Sequence, residues 1–199
     1  MTQTGVELDT IIGRIHKYQL AFRTHFQKYI DNGLLPVFTS GMITLDDQFL
    51  TIGVNGVIES AEYLGYTPSN NAEYKNYLST FLGRIKLLNK TASQANNCKF
   101  NTEFVPAENL GVKNANWDRK DGLVVPRDCY NSYMYIVEDE MNIFDKMELH
   151  GGEILGNLDG GSALHWNLDE HLTIDQYSVI LDALIIKGSN YFCVNVKKT

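Results

Sequence analysis

The sequence predicts an α/β fold, and two patterns lead to that prediction. Long segments with apolar residues at steps of three and four alternate with short apolar runs, as in proteins whose helices connect parallel strands. No repeat, low-complexity tract or linker interrupts the alternation, so residues 1–199 are predicted to form a single piece. About five of the runs are apolar enough to be mostly parallel strands buried on both faces, and they begin near Leu34, Leu50, Lys99, Ala163 and Tyr191.

The helical segments are bounded by residues that commonly begin or end helices. Gly33, Gly65 and Gly188 are each expected to end a helix, because glycine readily adopts the left-handed conformation found there. Thr173 is expected to cap the start of the last helix. The predicted helices cover residues 6–31, 52–64, 72–95, 139–149 and 174–186.

The remaining segments are predicted to be strands or loops. The polar stretch 114–128 is predicted to be irregular, with residues 116–122 as an exposed loop of the kind that often borders a site. The predicted strands, apart from the run near Leu50, cover residues 34–39, 99–105, 163–168 and 191–196.

Composition and charge exclude several classes of function. The formal net charge is −7 and the basic residues are scattered, which argues against binding along a nucleic-acid backbone. No apolar run has membrane length, and the N-terminus lacks the pattern of a secretory signal. The three cysteines are isolated and form no disulfide framework. We therefore expect a cytoplasmic protein that binds neither nucleic acid nor membranes.

Residues 100–111 form the most informative segment of the chain. They are predicted to run from a strand through a loop into a helix with Pro106 in its first position, where a missing N–H costs nothing. The next amides point outward at the positive end of the helix dipole, an arrangement that binds anions. A structural junction without any ligand fits the same pattern.

Six blocks of sequence follow one another at residues 33–39, 50–56, 103–111, 125–133, 158–165 and 190–195. In content and order they resemble the C-terminal part of the anaerobic, oxygen-sensitive ribonucleoside-triphosphate reductases of the glycyl-radical type, particularly the bacteriophage and enterobacterial forms. The resemblance implies a ten-stranded α/β barrel made of two five-stranded parallel halves. This chain would supply the second half, whose exposed strand edge and apolar face would favour aggregation.

The resemblance also implies a chemistry, in which hydrogen replaces the 2′-hydroxyl of a ribonucleoside triphosphate to make deoxyribonucleotides for DNA replication. In that family a glycyl radical generates a cysteine thiyl radical, which abstracts the 3′-hydrogen. Water then leaves from C2′, and formate or a thiol system supplies the electrons. The implied partners are the remaining segments of the reductase, a radical-SAM activase and a second copy in a homodimer.

Several parts of such an enzyme are not found in this sequence. The family carries its thiyl cysteine on a finger loop upstream, and a four-cysteine zinc ribbon and a glycyl-radical loop downstream. Here the cysteines are Cys98, Cys129 and Cys193, without a Cys-x-x-Cys pair. We therefore expect no zinc and no other cofactor in this chain. We interpret it as a truncated piece, an exon or a split-gene product, inactive alone.

Within the resembling blocks, one loop is the expected substrate-binding segment. Its amides would receive phosphate oxygens, and the small side chain of Ala107 would permit close approach. The alternative is structural, with Pro106 only starting a helix and Glu108 favouring its dipole. The loop consists of Val105, Pro106, Ala107, Glu108 and Asn109.

Glu103 is the candidate catalytic residue, because it lies in an otherwise apolar strand just before this loop. Facing the ribose, its carboxylate could accept a hydrogen bond or move a proton. An ordinary ion pair with Lys99 or Arg127 is the alternative. Gly53, Asn55 and Gly56 form a second candidate cluster, in which the glycines would allow a tight strand-to-helix turn and Asn55 would offer its amide to a ligand.

Two further features have structural explanations. A tight turn with positive φ is the simpler explanation of Gly160 and Gly161, although the family resemblance would also allow close passage of backbone by the radical loop. His165 is interpreted as a satisfied core histidine. Two alternatives to a working reductase piece are an inactive remnant that still binds nucleotide or partner chains, and an acyl-lyase on the same fold. The resemblance of residues 106–109 to the nucleotide enzymes argues against the acyl-lyase.

Overall fold

The computed structural model describes residues 3–104, 106–136 and 141–197. Its architecture is mixed α/β, with helices flanking short strands, as the sequence predicts. In chain order the elements are α1 (Gln3–Asp31), α2 (Pro36–Thr39), a 3-10 turn (Leu45–Asp47), β1 (Phe49–Val54), α3 (Val57–Tyr63), α4 (Ala72–Asn96), β2 (Lys99–Phe104), α5 (Glu108–Lys120), α6 (Ile143–Leu149), α7 (Gly152–Leu155), β3 (Leu164–Leu168), α8 (Ile174–Lys187) and β4 (Phe192–Val196).

The described strands form two pairs. β1 pairs with β2, and β3 pairs with β4. The second pair is parallel, with its register running from Leu164 opposite Phe192 to Leu168 opposite Val196. Four of the five predicted strand positions are therefore strands in the described ranges.

The predicted strand at residues 34–39 is wrong. Pro36 begins α2 there, and the amides of Thr39 and Ser40 donate to the carbonyls of Leu35 and Pro36. Proline has no N–H to give to a sheet but suits the first turn of a helix, so it decides the conformation of this short apolar run. Phe38 packs edge-on against Phe26 of α1, with ring centroids 5.4 Å apart.

Three other predicted boundaries differ from the structure. The helix predicted from residue 52 begins only at Val57, because residues up to Val54 belong to β1. The loop predicted at 116–122 is mostly the end of α5, which runs to Lys120. Arg119 stabilises that end by donating to the side chain of Asn116 at 2.9 Å. Residues 139 and 140 of the predicted helix 139–149 lie outside the described residues, and α6 begins at Ile143.

The chain divides into two compact units. The first comprises the described residues up to Ile52 together with Arg84–Thr102. In its interior Oδ1 of Asn89 accepts from the ring Nε2 of His16 at 2.8 Å, and Nδ2 of Asn89 donates to the hydroxyl of Thr102 at 2.8 Å. The His16 ring also packs 4.4 Å from that of Phe100. Because these buried polar groups are hydrogen-bonded, their burial does not carry the free-energy cost of unpaired polar groups.

The second unit comprises Gly53–Gly83 together with the described residues from Glu103 onward. Its core includes two buried tyrosines whose hydroxyls are hydrogen-bonded to backbone. Tyr74 donates to the carbonyl of Met134 at 2.8 Å, and the Tyr135 hydroxyl accepts from the amide of His165 at 2.6 Å. Burial raises the pKa of both phenols, so they stay protonated and act as fixed links between segments.

α8 has both of its predicted caps. Thr173 and Gln176 form a reciprocal capping box, and Gly188 ends the helix with φ +72°. Ile180 and Leu184 are buried, whereas Ile185 and Ile186 are 76% and 80% exposed. The second unit therefore carries apolar surface that its own residues leave uncovered, as expected for part of a larger barrel.

No helix in the described ranges combines the length and apolarity needed to cross a membrane.

Thr173→Ala should lower the free energy of unfolding by about 1 kcal/mol, because it removes the oxygen that caps the amide of Gln176. Denaturant unfolding of the chain would measure the change. Ser178→Ala is the matched control within the same helix, and it should be neutral or slightly stabilising, since alanine favours helix interiors. Equal effects from the two substitutions would contradict the capping role.

Candidate functional site

The predicted binding loop connects β2 to α5. Ala107 is the residue that precedes the helix, and its carbonyl accepts from the amides of Leu110 and Gly111. The prediction that Pro106 occupies the first helical position is therefore wrong, since α5 begins two residues later, at Glu108. Val105 and the side chain of Glu108 lie outside the described part of the structure.

Ser132 joins the two candidate clusters that the sequence predicted separately. Its hydroxyl accepts from the amide of Ala107 at 3.3 Å and from Nδ2 of Asn55 at 2.8 Å. Ala107 N–H, one of the amides expected to receive phosphate, is thus bonded within the protein. Ser132 lies in one of the resembling blocks, but no local pattern marks it as a link between residues so distant in sequence.

Asn55 follows β1 and is held from several directions. Besides Ser132, its amide group contacts the carbonyl of Tyr130 and the side chain of Asn114, each at 3.4 Å. Gly56, with φ +78°, makes the turn into α3 and donates to the carbonyl of Asn131 at 2.8 Å. Gly53 lies inside β1, so the turn expected of this cluster depends on Gly56.

Glu59, which the sequence analysis missed, anchors the segment that carries Ser132. Its side chain is only 3% exposed and pairs with Arg127 at 3.2 Å. It also accepts from the backbone amide of Asn131 at 3.2 Å and from Nδ2 of the same residue at 2.8 Å. Glu62 holds the other side of Arg127 at 2.6 Å. The carboxylates of Glu62 and Glu59 raise the pKa of Arg127, so its guanidinium stays charged.

The predicted residues that line pockets in the second unit are divided between two different pockets. Glu103 and Pro106 line a pocket of about 480 Å³ together with Tyr133 and His165. Asn55 lines a different pocket, of about 790 Å³. The structure thus connects Asn55 to the loop through Ser132 without bringing it into the pocket of Glu103.

Glu103 is half-buried in its pocket, and neither predicted ion pair is present. Lys99 pairs with Asp47 at 2.9 Å, and Arg127 is held by Glu59 and Glu62. The two cations named as partners of Glu103 are thus paired with other carboxylates. His165, interpreted as a core histidine, is only half-buried and packs its ring 5.0 Å from that of Tyr133 beside the same pocket.

The loop at Gly160 and Gly161 packs directly on Glu103. A Cβ at Gly160 would lie 2.1 Å from Cγ of Glu103, far inside van der Waals contact. The carbonyl of Gly161 accepts from the amide of Phe104 at 3.0 Å. Positive φ values occur at other described glycines but at neither of these two, so the positive-φ explanation is wrong. Gly160 is small because the Glu103 side chain lies against it.

Comparison with known proteins identifies the family. The sequence model of anaerobic ribonucleoside-triphosphate reductase matches residues 3–199. The chain belongs to this family. A comparison with curated proteins finds no match. This membership argues against the acyl-lyase alternative.

Solved structures of anaerobic ribonucleotide reductases have the same fold over nearly the whole chain. One is 27% identical, with a TM-score of 0.88 over 96% of this chain and 31% of that one. The Thermotoga maritima enzyme with dATP bound in the specificity site is 26% identical, with a TM-score of 0.86 over 96% of this chain and 33% of that one. The same enzyme in complex with dATP and CTP is 26% identical, with a TM-score of 0.87 over 96% of this chain and 32% of that one. This reductase chain therefore spans about a third of the length of the structures it matches.

The resemblance implies structural zinc only on a four-cysteine ribbon that this sequence does not contain. None of the three cysteines forms a disulfide. Across the described ranges, no group of three or more His, Cys, Asp or Glu side chains could hold a metal ion. We therefore derive no step through zinc.

Gly160→Ala should lower the free energy of unfolding of the reductase chain by about 1–3 kcal/mol, because the new methyl group overlaps Glu103. Gly161→Ala is the matched control, since a Cβ there meets nothing within 4 Å. Denaturant unfolding of both variants would measure the difference. If the control lost as much stability as Gly160→Ala, the packing of Gly160 on Glu103 would be refuted.

Glu59→Gln should lower the free energy of unfolding by about 3 kcal/mol, because it leaves buried partners without their carboxylate. Glu62→Gln should cost only about 1 kcal/mol, because Glu62 is 27% exposed and solvent compensates part of the loss. Parallel denaturant titrations would compare the two. A larger loss from Glu62→Gln would show that Glu59 does not anchor this segment.

Proposed function

We propose that this chain supplies the substrate cradle of an anaerobic reductase that makes deoxyribonucleotides from ribonucleoside triphosphates by radical chemistry. The observation that carries the proposal is the pocket at the end of β2, where Glu103 lies beside the loop that begins α5. Both belong to a sequence block that resembles the nucleotide enzymes. The membership of residues 3–199 in the reductase family supports the assignment.

In this proposal Glu103 faces the ribose and handles protons. Loss of the 2′-hydroxyl as water requires a proton at that oxygen, and a positioned carboxyl group can deliver or accept one. Lys99 and Arg127 are each paired with other carboxylates. Packing against Gly160 limits the directions in which the Glu103 side chain can point.

The triphosphate would bind at the start of α5. The first amides of a helix have no partner within the helix, and the helix dipole favours negative charge there. Pro106 and Ala107 present little side-chain bulk, while Glu108 and Asn109 contribute first-turn amides. The hydroxyl of Ser132 fixes Ala107, and Asn55 and Glu59 hold Ser132 and its segment in place.

The remaining parts of the reaction belong to other polypeptide segments. We assign this chain to the C-terminal half of the barrel, of the phage or enterobacterial type, acting in the cytoplasm. The thiyl cysteine, the glycyl radical and the zinc ribbon would be supplied outside this chain, and a radical-SAM activase would generate the radical. The complete enzyme would be a homodimer, and this chain alone would not turn over.

The test is anaerobic reduction of CTP by the chain mixed with separately expressed finger-loop and glycyl-radical segments and the activase. Glu103→Gln should lower kcat at least about 100-fold, because general acid–base catalysis contributes that much. Glu153→Gln, an exposed carboxylate in α7, is the control and should leave turnover unchanged.

Full turnover by Glu103→Gln would remove Glu103 from the mechanism. If the segments copurify and the chain binds CTP, but no mixture turns over, the second candidate function applies. In that case the chain is an inactive remnant that retains nucleotide and partner binding without catalysis.

A further inference from the structure

His150 is a fully buried histidine that the proposed mechanism has not used. It follows α6 and is 1% exposed. Its Nδ1 lies 2.7 Å from Oγ of Ser189, and its Nε2 lies 3.1 Å from Oγ of Ser162. Since a hydroxyl can donate or accept, a neutral imidazole with one N–H satisfies both contacts. Burial lowers the pKa of His150 to about 4, so the ring is neutral near pH 7.

The two serines precede the two parallel strands of the second unit. Ser162 lies just before β3, and Ser189 lies between α8 and β4. The amide of Leu164 donates to the carbonyl of Tyr191 at 3.0 Å, which continues the strand pairing toward these serines. Ser162 and Tyr191 both line the pocket of Glu103. His150 therefore ties together two segments that form one wall of that pocket.

The segment held by His150 also holds Glu103. Gly161, the residue before Ser162, accepts from the amide of Phe104 at 3.0 Å. Gly160 lies against the Glu103 side chain so closely that no Cβ fits between them. A displacement of Ser162 would therefore move the surface against which Glu103 packs.

We propose that His150 is a positioning residue of the reductase site, holding the Gly160–Ser162 loop and, through it, the carboxylate of Glu103. The inference rests on the role proposed above for Glu103. It assigns His150 no contact with substrate. Its effect is to fix the geometry of a group that must be aligned to within fractions of an ångström for efficient catalysis.

Two substitutions separate the two hydrogen bonds of the ring. The amide of Gln reaches the position of Nε2, so His150→Gln should keep the bond to Ser162 and lose that to Ser189. The amide of Asn reaches the position of Nδ1, so His150→Asn should keep the bond to Ser189 and lose that to Ser162. Each variant loses one buried hydrogen bond, which makes them matched controls for stability.

Hydrogen exchange at the Phe104 amide gives a readout that does not require turnover. His150→Asn should speed exchange there about tenfold, because the acceptor loop loses its anchor, whereas His150→Gln should stay near the wild-type rate. The amide of Ser60, bonded to Gly56 within α3, reports changes elsewhere in the unit. Equal exchange at Phe104 in the two variants would overturn the proposal.

Turnover of the reconstituted reductase supplies the second readout. His150→Asn should lower kcat about tenfold or more with little change in KM for CTP, and His150→Gln should rescue most of it. Unchanged kcat in His150→Asn would overturn the positioning role. If wild-type mixtures never turn over but the exchange pattern is as expected, the proposed function fails while the link from His150 to the loop stands.

Discussion

A buried carboxylate needs ion pairs and hydrogen bonds to replace its lost contacts with water. Glu59 receives them from a single segment of chain. Arg127 and both nitrogens of Asn131 converge on it, which leaves the intervening backbone little freedom. Ser132 follows directly, so its hydroxyl can meet Asn55 and the loop before α5 at once. The same segment packs so closely on α5 that a Cβ at Gly111 would lie 2.6 Å from the carbonyl oxygen of Tyr130. The positions of the β1 end and the α5 start thus depend on one ion-paired cluster.

The elements predicted correctly are those specified by neighbouring residues. α1, α4 and α8 have long apolar periodicities, and α8 also has the Thr173 box and Gly188. The run at 34–39 was ambiguous because it is short, and Pro36 resolved it as a helical turn. The polar residues around Trp117 were predicted to form a loop because such residues often favour loops. In the structure they form the last turns of α5.

The candidate site could be predicted only in part, for a related reason. Glu103 and the loop after it were marked by a local strand-to-helix pattern and by resemblance. Glu59 contacts a residue 72 positions away, Ser132 contacts residues 25 and 77 positions away, and His150 contacts residues 12 and 39 positions away. No spacing in the sequence indicates those pairs. The sequence also could not show which carboxylates Lys99 and Arg127 pair with, because ion pairing depends on tertiary structure. Each of these cations pairs with a carboxylate other than Glu103.

The contact between Gly160 and Glu103 has a consequence for how this chain can diverge. Any side chain at position 160 overlaps the aliphatic part of a glutamate at position 103, so the two positions cannot vary independently. A descendant that gained alanine at 160 would first need a shorter or differently directed residue at 103. If the carboxylate at position 103 is needed for the reaction, a protein that has lost it before gaining alanine at position 160 would be inactive. Selection on the acid at 103 would then also preserve the glycine at 160, through its packing against that side chain.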